Sequence, residues 1–432
     1  MTRRSWRSIL GSCVFSLCAL GAADPGVSGQ RSFYVRQTFG DDGNDGRSPA
    51  TAWRSLSKLD QALAAGDTAY VGPGLYRDAI FLGNSGTEAA PIRILADTSG
   101  RHTGDPPGIV LISGADAVDE KLFFAHSARG VYKAQLPDRV AGAVEMDGPQ
   151  YRYRGVLEPV RDVPYLDQVA ELPASFYYDT EEKVLYLHTS DGRHPARHEV
   201  EVVRRTGGIS MTGKHFVIVE GFAFRHMLDA GIVFWTGSSH GVALHNTVWG
   251  SRQGIRVNGA TDILVAGNTL LRNENSGVYF LNASNAGAVI GNIFYENAKG
   301  MRWSSQSNAG LAVANAAFDN LENGIAIESV TGAVLLRNRL FGNHFAQLLA
   351  IRSEYHAEAN CFENGGPERR TADLHYAARY PTLELYQRAK RQDLASRSGG
   401  CGSPPEKIDV RELHARSLAY AEAARRRLGS VD

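Results

Sequence analysis

The sequence has little cysteine, no long hydrophobic run and no excess of either charge. Only four of its 432 residues are cysteine, too few for a small scaffold held together by disulfides. Basic and acidic residues number 46 each, so no large basic surface is available and we expect no nucleic-acid partner. The apolar runs are shorter than the roughly 20 residues that a spanning helix needs, so we expect no membrane span.

The N-terminal segment has the pattern of a cleaved signal peptide. Three arginines precede an apolar run from Ile9 to Leu20, and small residues follow it up to Ala23. This order predicts removal of residues 1–23 and a secreted or periplasmic protein.

Removal of the signal would leave two cysteines, Cys361 and Cys401, in an oxidising compartment. Thiols commonly pair there, so a disulfide between them and a pair of free thiols are both open interpretations.

Two columns of residues recur at intervals of about 23 positions. A motif of a small or polar residue followed by alternating side chains begins at Gly208, Gly231, Gly254, Gly277, Gly300, Gly324 and Gln347. A second column with the same period consists of Asn246, Asn268, Asn292, Asn315, Asn338 and Asn360. Because two independent columns share one period, we interpret the region as a structural repeat.

Each repeat holds short runs of β-branched or aromatic residues separated by Gly, Asn and Ser, a strand-and-turn pattern. The helical half and the Leu/Asn consensus of leucine-rich repeats are missing. We therefore predict an all-β fold, a right-handed parallel β-helix whose coils stack about 4.8 Å apart. Alternation along the strand predicts one inward column: Phe234, Val257, Phe280, Trp303 and Ile327. We interpret the asparagine column as structural, since Asn suits tight turns and bonds its neighbours in a stack.

The remaining segments predict the ends of the solenoid and one insertion. An amphipathic helix near Ser55 to Ala65 would cap the first coils, which span 24–129. The period is lost across 130–205, where FYYDTEEKVLYLHTSDGRHP predicts a hairpin in a small β insert. The main repeats cover 206–366, and a helical tail, 367–432, would cover the other end.

The segments FYVRQTFGDDGNDGRSPATAWRSL, AGDTAYVGPGLYRDAI and SGTEAAPIRILA, together with the repeats, resemble the secreted bacterial right-handed parallel β-helix proteins of the pectate-lyase-like superfamily. The resemblance covers most of the mature chain. It implies the fold, a polysaccharide partner and a monomeric protein. It leaves the activity open, because one fold hosts lyases, epimerases and glycosidases. It also implies calcium as a candidate cofactor, although no acidic cluster names a site. The DPxxH segment of alginate epimerases is missing.

The outward positions of the repeated strand carry the first hypothesis, β-elimination from a uronic-acid polymer. Arg256, Tyr279 and Arg302 form one predicted column, with cations to neutralise a carboxylate and a ring to stack a sugar. Tyr279 would donate or abstract a proton, with Lys299 and His226 as reserve bases. The next outward column would contact substrate through Trp235, Asn258, Ser304 and Glu328.

Two further hypotheses remain open. Retaining glycoside hydrolysis needs two carboxyl groups roughly 5–5.5 Å apart, close to one coil step. Glu296 and Asp319 lie 23 positions apart and would stack, with Glu328 and Glu322 as secondary candidates. The third hypothesis is a surface or carbohydrate-binding protein without catalysis, in which outward Arg and Tyr are solvated surface residues.

Overall fold

The chain winds into a right-handed parallel β-helix in which each coil contributes strands to three sheets. The computed structural model describes residues 30–127, 130–138, 140–145, 161–162, 165–363 and 380–408. The predicted signal peptide and the last part of the predicted helical tail lie outside these residues.

Three parallel sheets form the walls of the solenoid. The first sheet has eight strands: Ile80–Leu82, Gly207–Thr212, Ala230–Trp235, Gln253–Asn258, Ser276–Leu281, Lys299–Ser304, Asn323–Glu328 and Ala346–Ile351. The second has ten: Ser32–Val35, Thr68–Val71, Ile92–Ala96, Val217–Glu220, Val242–Leu244, Leu264–Ala266, Ala288–Ile290, Leu311–Val313, Ala333–Leu336 and Tyr355–Glu358. The third also has ten: Gly74–Tyr76, Val110–Ser113, Ala223–Arg225, Thr247–Trp249, Thr269–Leu271, Ile293–Tyr295, Ala316–Phe318, Arg339–Phe341, Cys361–Glu363 and Arg397–Ser398.

The predicted stacking of equivalent residues is confirmed. Each member of the inward column, from Phe234 to Ile327, pairs with the next in the first sheet and is at most 1% exposed. The glycine column stacks as well, and a Cβ on Gly254 would lie 2.5 Å from the carbonyl oxygen of Gly277. Glycine is therefore required there by the close approach of the next coil.

The asparagine column forms a buried ladder at the corner between the second and third sheets, which confirms its structural role. Oδ1 of Asn292 accepts both the backbone N–H and the side-chain Nδ2–H of Asn268, each at 2.9 Å. Its own Nδ2 donates to the carbonyl of Val265 at 2.9 Å. The left-handed residue of each turn is the one before the asparagine, such as Gly291. The asparagines are thus selected for hydrogen bonding between coils rather than for a left-handed backbone.

A second ladder of the same kind lies at the corner between the third and first sheets. Its side chains are buried and bond from coil to coil through Ser251, Asn273, Asn297, Asn320 and Asn343. The sequence analysis did not identify this ladder, although its members also keep steps of 22 to 24 residues.

The N-terminal cap is confirmed as a short helical segment. A 3-10 turn, Leu56–Lys58, continues into an α-helix, Leu59–Ala62, and a further 3-10 turn, Pro49–Thr51, precedes them. The side chains of Leu56, Leu59 and Leu63 are fully buried in the main core. The apolar interior of the first coils is thereby shielded from water.

The insert consists of antiparallel strands, and the predicted hairpin is confirmed. One sheet pairs Gly142–Glu145, Val200–Val203 and Ala115–Ala117. The other pairs Arg161–Asp162, Ser175–Asp179, Val184–His188, Val131–Gln135 and Phe123–Ser127. Its helices are Glu120–Leu122, Leu166–Glu171 and Pro195–Arg197, the first and last being 3-10 turns. The antiparallel strands begin at Ala115, before residue 130.

The C-terminal end is closed by a helix and a disulfide. The helix Leu383–Lys390 places Leu383 and Tyr386 in the main core beside the last coils. Cys361 and Cys401 are joined, with a separation of 40 residues along the chain. The segment 380–408 is therefore attached to the solenoid by packing, by a covalent bond and by the final strand of the third sheet.

Removing one asparagine from the ladder is expected to destabilise the fold strongly. In Asn292→Ala the backbone N–H of Asn268 loses its acceptor, and its Nδ2 keeps only the carbonyl groups of Ala243 and Ala266. The carbonyl of Val265 also loses a donor, and buried unsatisfied groups cost about 1–3 kcal/mol each. We expect the free energy of unfolding in urea to fall by about 3 kcal/mol. Asn258→Ala, which removes only an exposed bond from Asn282, is the matched control and should cost under about 0.5 kcal/mol. Equal losses in the two variants would contradict this role.

The end of the asparagine ladder predicts a pH-dependent stability. Asn360 donates to Oδ1 of the fully buried Asp393 at 3.2 Å. Burial raises the pKa of Asp393 to about 6, against the lowering effect of the Asn360 hydrogen bonds and with help from the charge of Glu358. The pKa of Asp393 is therefore higher in the folded protein than the value of about 3.9 expected in the unfolded chain. Its contribution to stability is complete below pH 3.9 and is lost as the pH rises through about 6.

Asp393→Asn is therefore expected to stabilise the protein at pH 7.5 by about 2 kcal/mol and to have little effect at pH 4. Asn is neutral at both values and tolerates the left-handed backbone at this position. Urea unfolding at the two pH values measures the difference, with the exposed turn residue Asp262→Asn as control. A stability gain that is the same at both pH values would show that the charge of Asp393 is not its cause.

Candidate functional site

The outward face of the first sheet carries the residues that the sequence analysis selected. Arg256, Tyr279 and Arg302 occupy one column of paired positions on consecutive strands. Ser304 and Glu328 pair in the neighbouring column. The structure thus brings these five residues onto one surface.

Both arginines of this column are already paired with carboxylates. Nη1 of Arg256 lies 2.8 and 2.9 Å from the two carboxylate oxygens of Asp229, and Nη2 of Arg302 lies 2.8 Å from Oε2 of Glu328. The guanidinium of Arg256 also covers the ring of Trp235 at 4.9 Å. The column therefore carries balanced charge rather than a row of free cations.

The remaining polar groups of this face bond to one another. The ring of Tyr279 lies 4.8 Å beneath the guanidinium of Arg302, so only 9% of the residue is exposed. Its hydroxyl is 3.0 Å from the hydroxyl of Ser304. Asn258 accepts a hydrogen bond from Asn282 at 2.8 Å. Tyr279 is therefore held as a support for Arg302, and little of its ring is open to a sugar.

A cleft of about 310 Å³ opens beside this column, at the corner where the third sheet leads into the first. Its lining is mostly charged and comes from four consecutive coils: Arg252, Glu274, Asn275, Ala298, Lys299, Arg302 and Glu322. The ammonium of Lys299 pairs with Oε2 of Glu322 at 2.5 Å. Lys299 and Arg302, both selected from the sequence, thus share one cleft with two carboxylates.

Glu274 has an unusual environment within this cleft. Its side chain is exposed at the rim, yet the walls desolvate the carboxyl and raise its pKa, against the lowering effect of the positive charge of Arg252. A raised pKa favours the protonated form of this carboxyl, which is the form that a general acid needs.

The sequence analysis did not select Glu274, Arg252 or Asp229. These residues lie in turns just before the repeated strand, where Glu322 was the one residue selected from the sequence. The repeat could have identified Asp229, Arg252 and Asn275, the neighbour of Glu274, as one column. Positions 229, 252, 275, 299 and 322 keep steps of 23 or 24 residues.

His226, selected as a reserve base, lies elsewhere. It follows the third-sheet strand Ala223–Arg225 and is 3% exposed. Its Nδ1 is 3.5 Å from Glu201, which also accepts hydrogen bonds from Arg225 and Arg77 at 2.7 and 2.9 Å. Burial opposes ionisation of Glu201, but these positive groups outweigh it and hold its pKa far below the usual range. His226 thus belongs to a buried ion cluster that attaches the insert.

Glu296 and Asp319, selected as a stacked carboxyl pair, are brought together around a lysine. Nζ of Lys407 lies 2.8 Å from Glu296 and 3.0 Å from Asp319. Burial acts to raise the pKa of Glu296, but the hydrogen bonds from Lys407 and Arg272 outweigh it and lower the pKa. A carboxylate held ionised in this way is a poor general acid. We conclude that the pair attaches the C-terminal segment to the third sheet.

Comparison with known proteins links the fold to several families. A family profile described as "Periplasmic copper-binding protein (NosD)" matches residues 186–366, less than half of the chain. Alpha-1,3-galactosidase A of Akkermansia muciniphila is 33% identical over 76 residues, which are 17% of this chain and 13% of that protein. This chain therefore spans only a small part of that relative.

Two solved structures show the same fold at low sequence identity. The complex of XylC with xylose has a TM-score of 0.61 at 14% identity, covering 80% of this chain and 68% of that one. A structure described as a glycoside hydrolase has a TM-score of 0.53 at 11% identity, covering 83% of this chain and 98% of that one. Together with the three stacked sheets, these matches show that the chain has the right-handed parallel β-helix fold.

The described residues do not fit a copper centre. Copper prefers imidazole, thiolate and thioether ligands, whereas the two described cysteines are in a disulfide. Within residues 30–127, 130–138, 140–145, 161–162, 165–363 and 380–408, no three His, Cys, Asp or Glu side chains cluster as metal ligands. The same finding leaves calcium without an acidic cluster there.

None of the helices in these ranges has the length and apolar character of a membrane span.

Proposed function

We propose that the chain is an exported glycoside hydrolase of the β-helix type, which cleaves a glycan in the cleft between Arg252 and Glu322. The observation that carries this proposal is the placement of two carboxyl groups, Glu274 and Glu322, in one cleft with a lysine and two arginines. Glycoside hydrolysis needs a pair of carboxyl groups that differ in protonation on either side of the scissile bond.

The environments of the two carboxyls divide the roles. Glu274, with its raised pKa, keeps a proton for the leaving oxygen and acts as general acid. Glu322 lies against the ammonium of Lys299, and we assign it the role of the base that activates water.

The spacing favours inversion of configuration. The backbone N–H of Glu322 bonds to Ala298, and that of Ala298 bonds to Asn273, the neighbour of Glu274. The two glutamates are thus two coils apart, roughly 10 Å at the backbone. Inverting enzymes hold their carboxyl groups about 6.5–9.5 Å apart, which leaves room for a water. Side chains that lean into the cleft from this separation reach that range.

The names of similar proteins agree with a carbohydrate substrate outside the cytoplasm. One is a galactosidase, another is described as a glycoside hydrolase, a third was solved with xylose, and the matching family is described as periplasmic. The predicted signal peptide fits the same location. We therefore propose a secreted or periplasmic protein with a polysaccharide or oligosaccharide partner.

β-Elimination from a uronic-acid polymer is the second candidate. Arg256 and Arg302 lie in one column on the outward face of the first sheet, and guanidinium groups bind carboxylates through paired donors. The reaction stands second because Asp229 and Glu328 already neutralise these guanidinium groups, which weakens the attraction for a polyanion.

The test is incubation of the purified mature protein with xylan, α-1,3-linked galacto-oligosaccharides, polygalacturonate and alginate. We expect new reducing ends from a neutral glycan without absorbance from unsaturated ends. Glu274→Gln and Glu322→Gln should each lower kcat by about 10²–10⁴-fold. Because Glu274 must be protonated, wild-type activity should fall as pH rises above its pKa, and Glu274→Gln should lose this limb of the profile.

Asp262→Asn, at an exposed turn of another corner, is the matched control and should retain full activity. If polygalacturonate or alginate yields unsaturated ends, the reaction is β-elimination and not hydrolysis. Binding without any bond cleavage would favour the non-catalytic carbohydrate-binding protein.

A further inference from the structure

The base of the insert occupies the same corner of the solenoid as the cleft. The chain leaves at Gly114 and returns at Arg204 and Arg205, whose backbone N–H groups bond to the carbonyl of Gly114 at 2.9 and 3.0 Å. The next coil stacks directly on this base, since the N–H groups of Leu228 and Asp229 bond to Arg205 and Thr206. We call residues 114 and 204–206 the insert base.

The insert base is firmly attached and cannot move aside as a loose loop would. Arg205 pairs with Asp116 at 2.7 Å, and Glu201 is bound by Arg225 and Arg77. Antiparallel pairing of Val200–Val203 with Ala115–Ala117 runs directly out of this corner. A buried, multiply bonded ion cluster of this kind resists displacement, because separating its partners would leave uncompensated charge.

The opposite end of the cleft has an exposed aromatic ring. Phe345 stacks on Glu322 in the next coil, with its backbone N–H bonded to the carbonyl of Glu322 at 2.7 Å. Its side chain is 43% exposed, whereas the aromatic residues Trp249, Tyr295 and Phe318 of the third sheet are buried. Open aromatic rings beside polar groups suit the apolar face of a pyranose.

We propose that the corner groove is closed by the insert base and open at Phe345, so that a glycan enters end first and loses sugar units from that end. Phe345 stacks the sugar ring on the open side of the scissile bond. This inference rests on the proposed function and deepens it by assigning an exo mode of action and a sugar-binding residue.

The geometry of the column supports this mode. The cleft itself extends from Arg252 to Glu322. Along the same corner, Phe345 lies one coil beyond Glu322, and the insert base lies two coils beyond Arg252. With coils about 4.8 Å apart, the distance from Glu274 to the insert base is roughly 15 Å. A short end of a glycan fits this length, and a continuous polymer running along the corner does not.

The experiment follows the products formed from xylohexaose and from an α-1,3-linked galactohexaose. An exo mode predicts mono- or disaccharides as the only early products, together with the hexasaccharide shortened by the same unit. Phe345→Ala should raise KM for the hexasaccharide about tenfold and weaken its binding to Glu274→Gln, measured by calorimetry, by a similar factor. A 4-nitrophenyl monosaccharide lacks the sugar that would stack on Phe345. Its KM should therefore rise less in Phe345→Ala than the KM of the hexasaccharide.

Phe81→Ala is the matched control. Phe81 is 58% exposed on the first sheet but precedes the insert, so its removal should change neither KM nor binding. Early products of all intermediate lengths would overturn the exo mode while leaving hydrolysis intact. If wild type cleaves no glycosidic bond, the proposed function fails. Hexasaccharide binding that Phe345→Ala leaves unchanged, or no binding of either hexasaccharide, would overturn the sugar-binding role of Phe345.

Discussion

The structure depends on how the backbone is satisfied at the corners between its sheets. Within a sheet each coil bonds to the next, but at each turn the N–H and carbonyl groups point into a buried corner where water cannot reach them. Ladders of asparagine fill two of these corners, and each amide accepts from the coil before it and donates back to a carbonyl. Because an unsatisfied buried group costs more than a typical hydrogen bond contributes, these ladders fix the register of every coil. The register in turn determines which side chains meet on the outer surface.

The candidate site follows from that register. Residues that are 23 or 24 positions apart become neighbours, so charged side chains from four consecutive coils line one cleft. The compensation of charge within the cleft is almost complete, and this favours a neutral ligand over a polyanion. The same corner receives the base of the insert at one end and Phe345 at the other. One structural feature, the corner between the third and first sheets, thus accounts for the proposed catalytic pair and for the proposed closed and open ends of the groove.

Periodicity was sufficient to predict the solenoid and the inward column from Phe234 to Ile327, and local sequence patterns predicted the cap near Leu59 and the hairpin of the insert. It also placed Arg256, Tyr279 and Arg302 in one column. What it could not predict was the pairing of these side chains, because Asp229 and Glu328 reach them from a turn and from a neighbouring column. The sequence analysis likewise could not reveal that Lys407, more than one hundred residues after Glu296, would neutralise the predicted carboxyl pair. Contacts across long chain separations depend on how the ends and the insert fold back, and a repeat carries no information about that.

The central claim is that stacked turns at this corner form a glycan site that ends at the insert. The most direct measurement is a crystal structure of the Glu274→Gln variant soaked with the hexasaccharide that the wild-type protein cleaves. The account predicts sugar rings lying between Glu322 and the glutamine at position 274, with one ring against Phe345 and none beyond the insert base. Sugar bound on the outer face of the second or third sheet, with the corner cleft empty, would contradict it.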